Sequence, residues 1–197
     1  MKVHSLILTA SLIAVLGTFP ARAQTVVTLG KGYAHDCFVY AKAGTDPFDG
    51  VNVCDQALKE EVLTTKDRAA TYDNRGVMLD MLGKTDKAAD DFHTASALNE
   101  TLGDPHVNLG SMLIKQRRYP EAMAEINKGL DLGMSFPHIG YYDRAIAEEM
   151  MGSYKASYYD FKKVLEIEPN YGPATERLKD FIVTTVPAKS PTNNSPS

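Results

Sequence analysis

Asn74, Asn108 and Asp143 follow one another at intervals of 34 and 35 residues, each two positions before a small residue (Gly76, Gly110, Ala145). A carboxamide offers a donor and an acceptor together, so it can grip a peptide unit without reading the attached side chain. An ionised aspartate only accepts, which suits an amide N–H or a basic group. Catalytic chemistry finds no comparable arrangement. The five histidines (His4, His35, His93, His106, His138) fall outside H-E-x-x-H and have no cysteine at zinc spacing. There is no G-x-S-x-G and no Walker loop, and Gly30-Lys31-Gly32 lacks the third glycine and the strand–helix setting of a phosphate loop. Asp90-Asp91 and Glu148-Glu149 read as solvated faces of amphipathic helices. These residues point to a non-enzymatic role without metal or cofactor.

Two cysteines, Cys37 and Cys54, are separated by 16 residues. A redox pair would show Cys-x-x-Cys, and a metal site needs more ligands than His35 and Asp36 supply. An isolated pair this close, in an oxidising compartment, predicts a structural disulfide. Met1–Ala23 reads as a secretory signal, with Lys2 at its start, an apolar run at Leu6–Leu16 and Ala21-Arg22-Ala23 as a cleavage site. Cleavage after Ala23 predicts a periplasmic or secreted chain without stable membrane insertion, because the run is too short to span a bilayer comfortably. It also takes the net charge from −4 to −6. An acidic chain with no basic run is a poor partner for nucleic acid or an anionic membrane.

The elements that must position the column come from a repeat. Tyr72, Gly76, Leu79, Ala88, Phe92 and Ala95 align at a shift of 34 with His106, Gly110, Leu113, Ala122, Ile126 and Gly129. A third copy follows at about 35, with Tyr141, Ala145, Tyr154, Ser157, Phe161 and Val164, and ends in Ile167-Glu168-Pro169-Asn170. Small residues recur where helices touch closely and large apolar ones where they fill gaps. This order resembles the tetratricopeptide repeat (TPR), a helix–turn–helix unit, and the resemblance covers about half the chain. It implies an all-α, right-handed solenoid of helical hairpins, with three TPR units between an N-terminal disulfide-linked hairpin and a C-terminal capping helix.

Along the chain, residues 24–63 hold an extended lead-in (Gln24–Leu29) and a hairpin of two helices, Tyr33–Ala43 and Val51–Leu63, separated by an Asp46-Pro47 turn. The array with its cap spans 64–184. It opens on the capping-box-like Thr64-Thr65-Lys66-Asp67, has a second start at Asp104-Pro105 with the acid as N-cap, and ends in a helix from Gly172 to about Thr184. Residues 185–197, rich in Pro, Ser, Asn and Thr, read as a disordered tail.

In TPR proteins the first helix of each hairpin lines a concave groove, and peptide-binding members place asparagine on the Asn74 column. The resemblance therefore implies a peptide-binding groove of Asn74, Asn108 and Asp143 with Val77, Met81, Ser111, Lys115 and Tyr142. Its floor mixes apolar and acidic groups with one lysine, which argues against the clamp of several Lys and Arg that holds a C-terminal carboxylate. The expected role is an adaptor or assembly factor that binds an extended protein segment in the cell envelope. The alternative is a scaffold that self-associates through its outer surface, with the asparagines bonded only to neighbouring repeats. Arg75 and Arg144 read as structural, their stems packed and their heads paired with acids of an adjacent helix.

Overall fold

The structure is a computed structural model, and it describes residues 32–181. The signal segment, the lead-in up to residue 31 and the tail lie outside the described residues. Nine α-helices follow one another among the described residues, with no strand: α1 Tyr33–Ala43, α2 Pro47–Glu60, α3 Thr65–Met81, α4 Thr85–Leu98, α5 Asp104–Lys115, α6 Tyr119–Leu132, α7 Pro137–Met150, α8 Tyr154–Ile167 and α9 Gly172–Leu178. They pair as four hairpins, α1–α2 to α7–α8, and α9 packs on α8.

Punctuation residues set the boundaries. Gly44, Gly83, Gly133 and Gly152 all take positive φ just beyond helix ends, where a Cβ would strain the backbone. Thr64 caps α3, its hydroxyl accepting from the Asp67 N–H at 3.1 Å and donating to the Asp67 carboxylate at 2.7 Å. Three boundaries differ from expectation. Asp46-Pro47 is a helix start rather than a separate turn: Asp46 sits at φ 47° and Pro47 opens α2 four residues before Val51. Asp104 is the first residue of α5 rather than its cap, and its carboxylate accepts instead from the Ser135 N–H at 3.1 Å in the α6–α7 loop. The last helix stops at Leu178, and the chain continues in a hydrogen-bonded turn to Phe181.

The small-residue column does what its spacing implies. A Cβ on Gly76 would lie 2.6 Å from the Phe92 ring, and one on Gly110 2.4 Å from Ile126, so each glycine lets the two helices of its hairpin close on a large side chain. Ala88, Ala95, Ala122 and Ala145 are fully buried beside them. At the N-terminal end Cys37 and Cys54 form a disulfide, and both are fully buried. Glu61 closes the same hairpin a second time, accepting from the N–H groups of Tyr33 and Ala34 at the start of α1 at 2.6 and 3.1 Å. At the other end, Ala174, Leu178 and Phe181 cover Tyr142, Phe161 and Val164.

Candidate functional site

The first helices α1, α3, α5 and α7 pack in series on one another, while α2, α4 and α6 pack on the first helices to either side of them and α8 packs between α7 and the cap α9. A row that touches throughout is shorter than one that splays, so the stack curves with the first helices inside. Lys42 of α1 accordingly reaches Phe136, just before α7, with its ammonium 5.9 Å from the ring centre.

Each repeat is locked by a device at its back. Arg75 donates Nε and Nη2 to the two oxygens of Asp91, both at 2.7 Å, and lies 5.2 Å over Tyr72. Arg144 does the same with Asp160, at 2.6 and 3.0 Å, and lies 5.1 Å over Tyr141. Asp91 and Asp160 are buried, and a bidentate charge-assisted pair offsets the cost of taking them from water. The middle repeat has Leu109 in the arginine's place, and His106 itself meets the acid, with Nδ1 2.7 Å from Glu125. The structural reading of both arginines therefore holds. Arg75 also reaches Asp55 of α2 at 2.6 Å, in a cleft of about 540 Å³ between α2, α3 and α4 that Lys84 and Lys87 border.

The column on the inner face is partly engaged between repeats. The Asn108 amide donates to Asp73 at 2.8 Å, the Ser111 hydroxyl donates to Asp143, and Lys115 donates to Asp80 at 2.5 Å. Three of the anticipated groove residues thus serve as rungs joining α3 to α5 and α5 to α7, with Asp143 as the acceptor of one. Asn108 keeps its carbonyl oxygen. Asn74, half-buried, makes no side-chain hydrogen bond among the described residues. Val77 is half-buried, and Met81 is 47% exposed, near Gly44 at the end of α1. Tyr142 sits edge-on to Phe161 and Tyr171, with ring centres 5.6 and 5.4 Å away, so it joins an aromatic run that continues through His138 to Phe136.

Burial shapes the acids here. It pushes the Asp73 carboxyl up to about 7; the Asn108 hydrogen bond draws it back, and the charge of Asp104 raises it further. Burial likewise takes Asp143 up to about 6, with Ser111 and Lys115 opposing. Sequence reasoning missed Asp73 as a rung. In sequence Asp73 counted only as one of the acidic groups on the groove floor, with nothing to show that Asn108 of the next repeat would bond to it.

Among the described residues no group of three or more His, Cys, Asp or Glu is arranged to hold a metal ion. No helix among them is long and apolar enough to cross a membrane.

No protein-family profile matches this sequence, and no curated protein matches it significantly. Solved structures do. The chain is similar to PilW, a widely conserved type IV pilus biogenesis factor, at 23% identity over 74% of this chain and 65% of that one, with a TM-score of 0.62. It is similar to pilF of Pseudomonas aeruginosa at 17% identity, covering 75% and 65% of the two chains, again with a TM-score of 0.62. The first TPR of Spaghetti (RPAP3), bound to the HSP90 peptide SRMEEVD, matches at 22% identity over 58% of this chain and 92% of that one, with a TM-score of 0.55. The chain spans 65% of the length of the PilW and pilF structures. At such identities the likeness is one of fold.

Proposed function

We propose that this chain, which has the tetratricopeptide-repeat fold, binds an extended segment of another protein along its inner face and acts as a non-enzymatic adaptor or assembly factor. The observation that carries the reading is Asn74: a half-buried carboxamide on the inner row, without a side-chain hydrogen bond among the described residues, beside Val77 and the exposed Met81. A ligand backbone would supply the acceptor and donor that the carboxamide can use, and the apolar neighbours would seat side chains. Asn108 contributes its carbonyl, and Asp143 favours an N–H or a cation. The peptide held by the RPAP3 repeat makes such a use of the fold reasonable. An envelope location draws support from the signal-like segment 1–23 and from the pilus biogenesis factor among the structural neighbours.

A second reading, self-association through the outer surface, is favoured by the exposed Met151, Tyr154 and Tyr159 at the α7–α8 turn. Crosslinking in the envelope followed by partner identification separates the two, using the parent chain and an Asn74→Ala/Asn108→Ala variant of unchanged helicity. Loss of a specific partner in the variant supports the groove. An unchanged partner list sinks it and moves the interface to the outer surface.

A further inference from the structure

Each second helix presents one position to the first helix that follows it. On α2 that position is Asp55, which accepts from Arg75 of α3 at 2.6 Å. On α6 it is Asn127, whose side-chain oxygen accepts from Arg144 of α7 at 2.9 Å. On α4 it is His93, which shares a cavity wall with Leu109 of α5. His93, Asn127 and Lys162 stand 34 and 35 residues apart, the spacing of the repeat, so the residue that α8 presents is Lys162. Where α2 and α6 offer an acceptor to an arginine, α8 offers a cation.

The helix that follows α8 is cut short. α9 begins in register, Gly172 following Pro137 by 35 residues, but it ends at Leu178, one residue before the position that aligns with Arg144. α7, by contrast, runs on to Met150. Beside the end of α9 lies a shallow depression of about 390 Å³, lined by Tyr158, Lys162, Leu165, Glu166, Leu178 and Phe181. Phe181 turns back onto Tyr158, with ring centres 5.8 Å apart, and stands in for part of the missing helix. Two charges line the depression. Glu166 is paired with Lys163 at 3.0 Å. Lys162 is exposed, holds its ammonium 5.9 Å from the Tyr158 ring centre, and has no carboxylate partner among the described residues. The free charge is positive, so it favours an anionic group from whatever covers it. Residues 182–197 follow Phe181 directly, but they hold Lys189 and no Asp or Glu, so no side chain there can pair with Lys162.

We infer that this end of the array is a second docking surface, which takes an amphipathic helix of another protein in place of the missing part of a first helix. That helix carries a Glu or Asp against Lys162, where the array itself uses arginine. Tyr158 lies four residues before Lys162 and Leu165 three after, so the partner presents apolar side chains about one turn to either side of its acid. The surface is on α8 and its cap, away from the inner row, so the inference does not rest on the groove reading. Occupied together, the two surfaces would make the chain a bridge between two proteins.

The test is fluorescence anisotropy with the purified chain and three labelled helical peptides of sixteen residues. They share one amphipathic frame of Ala, Gln and Leu and differ only at one position, a turn from leucine on each side, filled by Glu, Gln or Lys. The glutamate peptide is expected to bind about threefold more tightly than the glutamine peptide, the size of one exposed ion pair, with the lysine peptide weakest. Lys162→Glu, at an exposed site that spares the core, should reverse the order. Asn74→Ala/Asn108→Ala should leave all three unchanged. No binding at millimolar peptide, no preference for glutamate, or a preference that survives Lys162→Glu overturns the inference. So does weaker binding in the asparagine double variant, which would place the peptides in the groove. If binding appears only once residues 182–197 are removed, the occupant is the chain's own C-terminal segment and the inference falls. If the chain dimerises in sedimentation and Lys162→Glu abolishes the dimer, the occupant is a second copy and it falls as well.

Discussion

Asp73 is buried among first helices, with Asn108 donating to one oxygen and a carboxyl pushed up to about 7. A carboxyl whose folded value is raised binds its proton more tightly folded than unfolded. Its contribution is therefore fully present below about pH 4, the unfolded value, and is lost as pH rises through the folded value of about 7. Asp143 acts in the same direction, its contribution lost as pH rises through its folded value of about 6. Asp73→Asn keeps an acceptor for Asn108 and removes the charge. It should raise the melting temperature at pH 8 by several degrees, at about 2–4 °C per kcal/mol for a chain of this size, with the gain shrinking steadily as pH falls towards about 4. A variant that melts lower at pH 8 would show that the charged form is wanted there. Arg144 makes the opposite case, a base whose removal leaves buried Asp160 without its bidentate partner. Arg144→Ala should cost roughly 3 kcal/mol in denaturant unfolding. A loss near zero would mean that water replaces the guanidinium.

The helices show which features a single sequence makes legible. Gly76, Gly110 and Ala145 announced close helix contacts, because a residue's size limits approach whatever the neighbours are. Gly110→Ala, with its Cβ 2.4 Å from buried Ile126 and 3.2 Å from the Ala122 carbonyl oxygen, should cost about 1–3 kcal/mol in thermal unfolding. The third copy already carries Ala145 there, so a neutral result would mean that α5 and α6 separate as easily as α7 and α8. The start of α3 was legible from Thr64 and Asp67, the end of α8 from Ile167-Glu168-Pro169, and the disulfide from two cysteines with no competing ligands. The rungs were not. A column of period 34 places Asn108 and Asp143 within their own repeats, but what stands opposite depends on how far one hairpin rotates on the next. That rotation comes from the whole packed interface, and it set Asn108 against Asp73 and Ser111 against Asp143. The close of α9 at Leu178 was hidden for a similar reason, since Phe181 turns back onto Phe161 and Tyr158 at ring distances of 6.0 and 5.8 Å.

As a whole the molecule is a row of units that each rely on a neighbour, with unlike ends. The C-terminal end is covered by a seven-residue helix and one turn that bury Ala174 against Phe161 and Val164. Ending the chain after Asn170 should uncover this cluster, and hydrogen exchange should then show α7 and α8 opening well before α3 and α4. Equal protection along the array would mean that the hairpins unfold as one block and the cap adds nothing. The N-terminal end is closed covalently, by a bond joining residues 17 positions apart. Held between two beads and stretched, the chain would therefore behave as a tether with a fixed reef in it. The strand between Cys37 and Cys54 cannot pay out until the bond is reduced. Adding a reductant under load should then release about 60 Å of extra contour length, at about 3.5 Å per residue, in a single step. Force applied at the front of the array would thus reach the end of α2, and then α3, without drawing length from the loop between Cys37 and Cys54.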